Sequence, residues 1–293
     1  MKQRTTLLLL TLAGAALSGA RASAQADFPN ASAMSAIVTG FQDQARRQRA
    51  LPQRPPAAAP GSAIQGAPDV SRYTIRGVDV SHKQNRIDWV KAKRYGGISF
   101  AYIKATEGGD TVDQRFAENW RNAGRADVLR GAYHFYSFCR GGSAQARNFI
   151  KTAPAEAGAL PPMLDLEKSG DCKTMPSPKA FRKDFAAYVQ KIQIAYGVRP
   201  ILYVNRWIYD EYFQGTGDLS QFKIWICDKD HRSPDLPFAQ PWTVWQYDFH
   251  GHVPGIENGT EVDGQVDLDV YRGTPDGLAA LTRPDADLFA RAP

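Results

Sequence analysis

The sequence lacks the short motifs that mark several large enzyme classes. Its 293 residues contain no G-x-G-x-x-G, no P-loop, no G-x-S-x-G and no H-E-x-x-H. These absences argue against dinucleotide, nucleotide, esterase and zinc-protease functions. The chain also lacks an apolar run of about 20 residues, the length that a comfortable transmembrane helix requires. What remains is an ordinary globular composition, with 43% hydrophobic and 23% charged residues.

Cysteine is scarce, and no C-x-x-C pair is present to indicate a zinc ribbon or a thioredoxin motif. Two of the three cysteines, Cys139 and Cys172, lie in polar, glycine-containing segments, whereas Cys227 lies in an apolar run. We therefore expect a disulfide between Cys139 and Cys172 and a buried free thiol at Cys227. The chain-entropy treatment assigns roughly 3–4 kcal/mol to a bridge closing a loop of about 33 residues.

Positive charge is in excess, but part of it lies at the N-terminus. Lys2 and Arg4 precede a short apolar run, and a small-x-small site follows at residues 22–24, a pattern typical of a secretory signal peptide. Its cleavage would remove Lys2, Arg4 and Arg21 and no acids, and would lower the formal net charge from +6 to +3. Such a small charge is weak evidence for nucleic-acid binding. An uncleaved membrane anchor is the alternative for this segment.

Four segments follow from composition and patterning. We predict a signal peptide at residues 1–24, an Ala/Pro-rich linker at 25–71, one folded domain at 72–273 and a C-terminal tail at 274–293. Residues 51–60 of the linker contain too much proline to hold a helix or a central strand, whereas residues 35–49 could form a short helix.

The folded domain alternates short apolar runs with amphipathic stretches. Helices are predicted at residues 113–126 and 178–196, the second with Ser177 as N-cap, Pro178 at its first position and Gly197 after its end. Strands are predicted at residues 77–81, 98–105, 131–136, 163–167, 201–205, 223–228, 243–247 and 266–271. This alternation predicts an α/β fold, a closed TIM-like barrel that is regular early and irregular late.

Three of the predicted strands carry acids opposite their apolar residues. Strand side chains alternate between faces, so Leu164 and Leu166 point to one side, and Asp165 and Glu167 to the other. The same alternation sets apart Asp79 in residues 76–81, and Asp267 and Asp269 in residues 266–271. Paired carboxylates raise each other's pKa, and one can stay protonated, as a general acid requires. From the pattern alone, structural carboxylates remain an equal alternative.

The folded domain resembles the glycoside hydrolase family 25 lysozymes over about residues 72 to 273. The resemblance rests on six segments in order: 76–81 (RGVDVS), 101–108 (AYIKATEG), 131–135 (GAYHF), 164–167 (LDLE), 245–247 (WQY) and 266–269 (VDLD). It implies an irregular β/α barrel of about five βα units followed by β-strands. It also implies cleavage of the β-1,4 bond between N-acetylmuramic acid and N-acetylglucosamine in peptidoglycan.

Site roles follow from the resemblance by position. Glu167 would be the general acid, Asp165 would orient the substrate acetamide or stabilise developing positive charge, and Asp79 and Asp267 would complete the acidic site. The implied mechanism retains the anomeric configuration and is assisted by the substrate's N-acetyl group. Contacts to sugar are expected from Tyr133, Tyr203, Trp225 and Gln246, with Lys104 and Glu107 nearby.

We expect no cofactor and no metal, since His250-Gly-His252 lacks a third ligand at a recognised spacing. The expected partner is the glycan of peptidoglycan rather than nucleic acid. We expect an exported monomer, periplasmic or extracellular, that is not inserted in a membrane once its signal peptide is cleaved. Two alternatives stay open: a non-catalytic glycan-binding module on the same barrel, and a hydrolase of another N-acetylated glycan.

Overall fold

The structure, a computed structural model, describes residues 66–168, 170, 172–234, 241–257, 264–285 and 288. The predicted signal peptide and the predicted linker as far as residue 65 lie outside these residues. Within the described ranges, no helix is both long enough and apolar enough to cross a membrane.

Nine strands and six α-helices make up the described fold. The strands are β1 (Arg76–Val80), β2 (Ile98–Glu107), β3 (Thr111–Val112), β4 (Leu129–Phe135), β5 (Met163–Leu166), β6 (Ile201–Val204), β7 (Ile224–Cys227), β8 (Val244–His252) and β9 (Gln265–Tyr271). The helices are α1 (Trp89–Gly96), α2 (Phe116–Arg125), α3 (Gly142–Thr152), α4 (Pro178–Tyr196), α5 (Arg206–Ile208) and α6 (Pro275–Ala280). Short 3₁₀ turns at His82–Gln84 and Asp218–Gln221 and a π-turn at Tyr209–Phe213 complete the described elements.

Eight of the strands close into a barrel. The sheet order is β1-β9-β8-β7-β6-β5-β4-β2, and β1 also pairs with β2, while β3 forms a hairpin with β2 outside the ring. Within the ring, neighbouring strands are parallel except where β9 is involved. Strand β9 runs antiparallel to both of its neighbours, β1 and β8. Helices follow β1, β2 with its hairpin, β4, β5 and β6 in chain order. The prediction of five βα units followed by strands is confirmed.

Helix boundaries follow local chemistry. Helix α4 has the predicted caps, because Ser177 Oγ accepts the Ala180 N–H and Gly197 adopts a left-handed conformation with φ 69°. Helices α1 and α3 are not among the helices that the sequence predicts individually. Helix α1 nevertheless has an Asp88 N-cap and a left-handed Gly97 after its end, so its limits could have been read from the sequence. Helix α3 begins after Gly141 without a side-chain cap and lacks such a signature.

Large aromatic rings fill the barrel interior beside glycines. A Cβ atom added at Gly77 would lie 2.3 Å from the Phe100 ring, and one at Gly131 would lie 2.3 Å from the Tyr102 ring. Both rings are buried, so the missing side chains provide the space that the rings occupy. The outward faces of the strands pack against the helices in a second apolar layer.

The described fold continues on both sides of residues 72–273. The Gly66 N–H donates to the Asp230 carbonyl at 3.2 Å, and the Asp69 N–H donates to the Arg232 carbonyl at 3.0 Å. At the other end, Leu278 of α6 is buried in the apolar cluster that fills the barrel interior.

The predicted disulfide is present between Cys139 and Cys172, and Cys227 is free. The disulfide joins the segment after β4 to the segment after β5. Cys227 is only partly buried, because it is the last residue of β7 and reaches the open end of the barrel.

Candidate active site

A cavity of about 320 Å³ opens at the carboxyl ends of the parallel strands. The four acids predicted for the site, Asp79, Asp165, Glu167 and Asp267, all line it. Tyr133, Tyr203, Gln246 and Lys104 line it as well. This is the end of the barrel at which β/α barrel enzymes build their sites.

The acids come from three strands that do not all run in the same direction. Asp79 lies near the end of β1, Asp165 lies in β5, and Glu167 is the first residue after β5. Asp267 is opposite Asp79 in register, but it lies near the beginning of β9 because that strand is antiparallel. The sequence pattern predicts the convergence but not this direction, and the strand predicted at 163–167 ends one residue earlier.

Burial and mutual repulsion raise the pKa values of these carboxyl groups. Burial is the main cause for each of them, and it raises the pKa of Asp79 to about 7 and that of Asp267 to about 9. The pKa of Asp165 lies well above its ordinary value, because burial is reinforced by the charges of Glu167 and Asp79. Burial also raises the pKa of Glu167, while Lys104 and then Lys83 oppose the rise. The cluster therefore retains protons near neutral pH.

A fifth acid, Asp269, belongs to the same group without having been assigned a site role from the sequence. Its side chain is 0% exposed, and its neighbours in register are Gly77 on β1 and Gln246 on β8. Burial, followed by the charges of Asp79 and Asp267, holds its pKa well above the ordinary value. The alternation that selects Asp267 also selects Asp269, so the sequence holds the signal, and the structure places this residue beneath the cavity-lining acids.

Two predicted sugar contacts also orient Asp79. The Gln246 Nε2 group donates to Asp79 Oδ2 at 2.9 Å, and the Tyr203 hydroxyl donates to Gln246 Oε1 at 2.7 Å. This chain fixes one oxygen of Asp79. By contrast, Asp165 Oδ1 is buried with no hydrogen-bond partner among the described residues. A ligand donor could occupy that position.

Lys104 is a partly buried cation of the site. Its Nζ donates to Glu107 Oε2 at 2.7 Å and lies 4.6 Å from the centre of the Phe135 ring, and its side chain is 14% exposed. Glu107 does not line the cavity. Its observed contact is with Lys104, and a direct contact of Glu107 with substrate stays a prediction.

The expectation that Trp225 contacts sugar is corrected, because the structure buries this side chain completely. The side chain is 0% exposed, and its ring packs edge-on against Tyr102 at a centroid distance of 4.8 Å. It points into the barrel, as the alternation requires, but one layer below the cavity. Trp225 therefore supports the floor of the site and does not reach a sugar in this structure.

The 3₁₀ turn after β1 forms one wall of the cavity. The beginning of this turn is capped by side chains: Ser81 Oγ accepts the Lys83 N–H, and Gln84 Oε1 accepts the Ser81 N–H. Buried Asp113 accepts from both the backbone N–H and the ring Nδ1 of His82. Ser81, Lys83 and Gln84 line the cavity and were not predicted as site residues. Strand alternation along residues 76–81 does put Ser81 on the same face as Asp79, whereas the positions of Lys83 and Gln84 depend on this turn and were not readable from the sequence.

The arrangement combines a partly exposed acid, a buried neighbouring carboxyl and an oriented third carboxyl in one cavity. Such a set can donate a proton to a leaving oxygen and stabilise positive charge that develops beside it. Those are the two requirements of glycosidic bond cleavage.

Comparisons with known proteins agree with this chemistry. The family model described as glycosyl hydrolases family 25 matches residues 78–256. The uncharacterized protein YegX of Escherichia coli (strain K12) is 36% identical over 213 residues, 71% of this chain and 74% of the relative. Lysozyme M1 of Streptomyces globisporus is 31% identical over 242 residues, 78% of each chain. The structure of a family 25 glycosyl hydrolase from Bacillus anthracis superposes with a TM-score of 0.66 at 35% identity, covering 75% of this chain and 99% of that one.

Proposed function

The chain belongs to glycosyl hydrolase family 25 and is a glycoside hydrolase of the lysozyme type, and from this premise we propose its bond specificity and mechanism. It cleaves the β-1,4 bond between N-acetylmuramic acid and N-acetylglucosamine in peptidoglycan, with retention of configuration. The observation that carries the proposal is the pair formed by Asp165 and Glu167. One carboxyl is buried with a free acceptor oxygen, and the other lies at the mouth of the cavity.

Glu167 is the general acid. It lies just beyond the end of β5 and is partly exposed, so that it can reach a glycosidic oxygen held in the cavity. Burial raises its pKa, which keeps the proton available at a higher pH than an ordinary glutamate would. After donating the proton to the leaving oxygen, the carboxylate can take one from the incoming water.

Asp165 holds the acetamido group of the sugar that is cleaved. Its free Oδ1 can accept the acetamide N–H, which directs the acetamide oxygen to the anomeric carbon. Attack by that oxygen displaces the leaving group and gives a positively charged ring intermediate, which the Asp165 carboxylate stabilises. Water then opens the intermediate from the face of the departed group, so configuration is retained and no carboxylate nucleophile is needed.

Asp79 and Asp267 tune the charge of the cavity. Asp79 is held by Gln246, and Asp267 faces it from β9. Protons shared among the group limit the negative charge in the free enzyme, and a positive intermediate draws the group toward ionisation. The acids thus favour the charged intermediate over the neutral substrate.

The protein acts outside the cytoplasm as a monomer. The N-terminal charged and apolar pattern supports export, and the disulfide between Cys139 and Cys172 supports an oxidising compartment. The same proposal holds that residues 1–24 are removed as a signal peptide and that the linker after them acts as a spacer.

The test is digestion of purified peptidoglycan, followed by borohydride reduction and mass spectrometry of the products. We expect new muramitol ends with the parent protein and none with Glu167→Gln. The matched control is Glu156→Gln, because Glu156 pairs with Arg130 away from the cavity and should leave cleavage intact. Glucosaminitol ends would assign the other glycosidic bond. Sedimentation with sacculi without new ends would indicate a binding module instead.

A further inference from the structure

One tryptophan stands out by its exposure to solvent. Trp207 is 40% exposed, and it is one of four large hydrophobic side chains in the described ranges that face solvent. Of the other tryptophans, Trp120 is partly buried, and the rest are buried: Trp89, Trp225, Trp242 and Trp245. An indole left in water retains apolar area that a binding partner can cover.

This indole lies at the same end of the barrel as the catalytic cavity. Strands β5 and β6 are parallel, with Leu166 opposite Val204, and so Glu167 and Asn205 follow at the same level. Asn205 caps α5 by accepting the Ile208 N–H at 2.9 Å, and Trp207 is the second residue of that helix. The connection between β6 and α5 therefore places the indole on the rim.

A lysine joins the indole to the acid. Lys168 directly follows Glu167 in the chain, and its Nζ lies 5.8 Å from the centre of the Trp207 ring. Glu167 lines the cavity and Lys168 is exposed. The aromatic and cationic patch thus begins one residue from the catalytic acid.

The patch is held in place from beneath. The Trp207 ring packs edge-on against buried Tyr212 at a centroid distance of 6.1 Å, and the Tyr212 hydroxyl donates to the Pro176 carbonyl at 3.2 Å. Pro176 belongs to the segment after β5 that the Cys139–Cys172 disulfide ties to the segment after β4. A fixed aromatic face loses little conformational entropy when it binds a ligand.

We propose that Lys168 and Trp207 form an outer binding site for the glycan strand as it leaves the catalytic cavity. The indole packs on the apolar face of a sugar ring, and the Lys168 ammonium pairs with a carboxylate carried by that strand. The carboxylate belongs to either the lactyl group or the stem peptide. This inference rests on the proposed function, because it assumes that the cavity binds a peptidoglycan strand.

The chain supplies a matched control at the other end of the barrel. Arg94 lies 5.6 Å from the centre of the Tyr95 ring, and Tyr95 is 68% exposed. Both residues lie in the last turn of α1, which leads into the beginning of β2. This pair has similar chemistry but lies where no strand leaving the catalytic cavity would pass.

The experiment compares kcat and KM of Trp207→Ala, Trp207→Tyr and Tyr95→Ala on long peptidoglycan strands and on the shortest cleaved fragment. We expect Trp207→Ala to raise KM on long strands about two- to tenfold, with kcat within about twofold of the parent, since one aromatic contact makes a contribution of that size. The short fragment should show no such rise. Trp207→Tyr should recover most of the loss, and Tyr95→Ala should match the parent.

The Lys168→Met variant identifies the carboxylate. On strands stripped of peptides, a raised KM that disappears after esterification of the strands would assign the lactyl carboxylate. A raised KM only on peptide-bearing strands would assign the stem peptide. An unchanged KM on both would remove Lys168 from the site.

The outcomes separate this inference from the proposed function. If the parent releases muramitol ends while Trp207→Ala has an unchanged KM on long strands, the enzyme assignment stands and the outer site is wrong. An equal rise in KM for Tyr95→Ala would also overturn it. If the parent does not cleave, the proposed function is wrong, and binding of the parent and Trp207→Ala to sacculi still tests the patch.

Discussion

The two ends of the barrel interior are made by the same strands but have opposite chemistry. At the closed end, Phe100, Ile201 and Tyr271 belong to an apolar cluster that also includes Leu278 of α6. At the open end, acids from β1, β5 and β9 face one cavity. The closed end contributes apolar burial, whereas the open end concentrates carboxyl groups that each cost free energy to bury. Stability and catalysis are therefore separated along the barrel axis, and substitutions at the two ends should have different consequences.

The largest effect is expected from Glu167→Gln at the open end. The amide keeps the shape of the side chain but has no acidic proton to transfer to the leaving oxygen, so we expect kcat to fall by about 10²–10⁴-fold. The melting temperature should not decrease, because the substitution replaces a carboxyl group, which costs free energy to bury when it is charged, with a neutral amide. Rates on soluble peptidoglycan fragments and thermal melts check both parts. Parent-like turnover would remove Glu167 from the acid role.

The corresponding substitution at the closed end is Phe100→Ala. Phe100 is fully buried between strands, and truncating such a ring costs about 3–5 kcal/mol of unfolding free energy. We expect kcat of the folded fraction to stay close to that of the parent. Denaturant unfolding measures the loss, with exposed Val90→Ala as the control, which should change stability by no more than about 0.5 kcal/mol. A large loss of kcat in Phe100→Ala without a loss of unfolding free energy would contradict the separation of stability and catalysis along the barrel axis.

Gln246→Leu should alter the open end without removing an acid. The Gln246 amide donates to Asp79 and opposes the rise of its pKa, so its loss should move that pKa above about 7. Because the positive intermediate draws Asp79 toward ionisation, the acid limb of the pH profile should move to higher pH and kcat should fall about tenfold, as expected for one bond to a charged group. Tyr203→Phe should give a smaller shift, because Tyr203 contacts Gln246 rather than Asp79. A uniform fall in rate with an unmoved profile would contradict this role.

The smallest effect is a gain in stability from Asp267→Asn. Burial raises the pKa of Asp267 to about 9 in the folded protein, against about 3.9 when unfolded. The protonated group favours folding fully below about pH 4, and this contribution is lost as the pH rises through the folded value. Asp267→Asn should therefore raise the melting temperature by at least about 2 °C at pH 8 and change it little at pH 4. Exposed Asp110→Asn is the control, and an equal shift at both pH values would contradict the linkage.

The inward-facing acids of the site and the ends of α4 could be predicted from local sequence patterns. The alternation alone identifies Asp79, Asp165 and Asp267 as inward-facing residues, and the capping residues Ser177 and Gly197 define α4. These predictions succeeded because they depend on local geometry, in which side chains change face at every residue and helix ends need specific caps.

Depth along the barrel axis could not be predicted in the same way. Trp225 faces inward as expected but lies in the buried layer, and Asp269 lies beneath the acids that line the cavity. Depth depends on the relative register of neighbouring strands, which a single strand's sequence does not contain. The direction of β9 and the exposure of Trp207 likewise depend on tertiary pairing.

The anomeric form of the first product tests the proposed mechanism most directly. Proton NMR of a peptidoglycan fragment during cleavage, before mutarotation, distinguishes the two anomers. Because Asp165 orients the substrate's acetamide while Glu167 donates the proton, we predict that the β-anomer forms first. Initial formation of the α-anomer would mean that water attacks directly from the opposite face, and it would contradict the role given to Asp165.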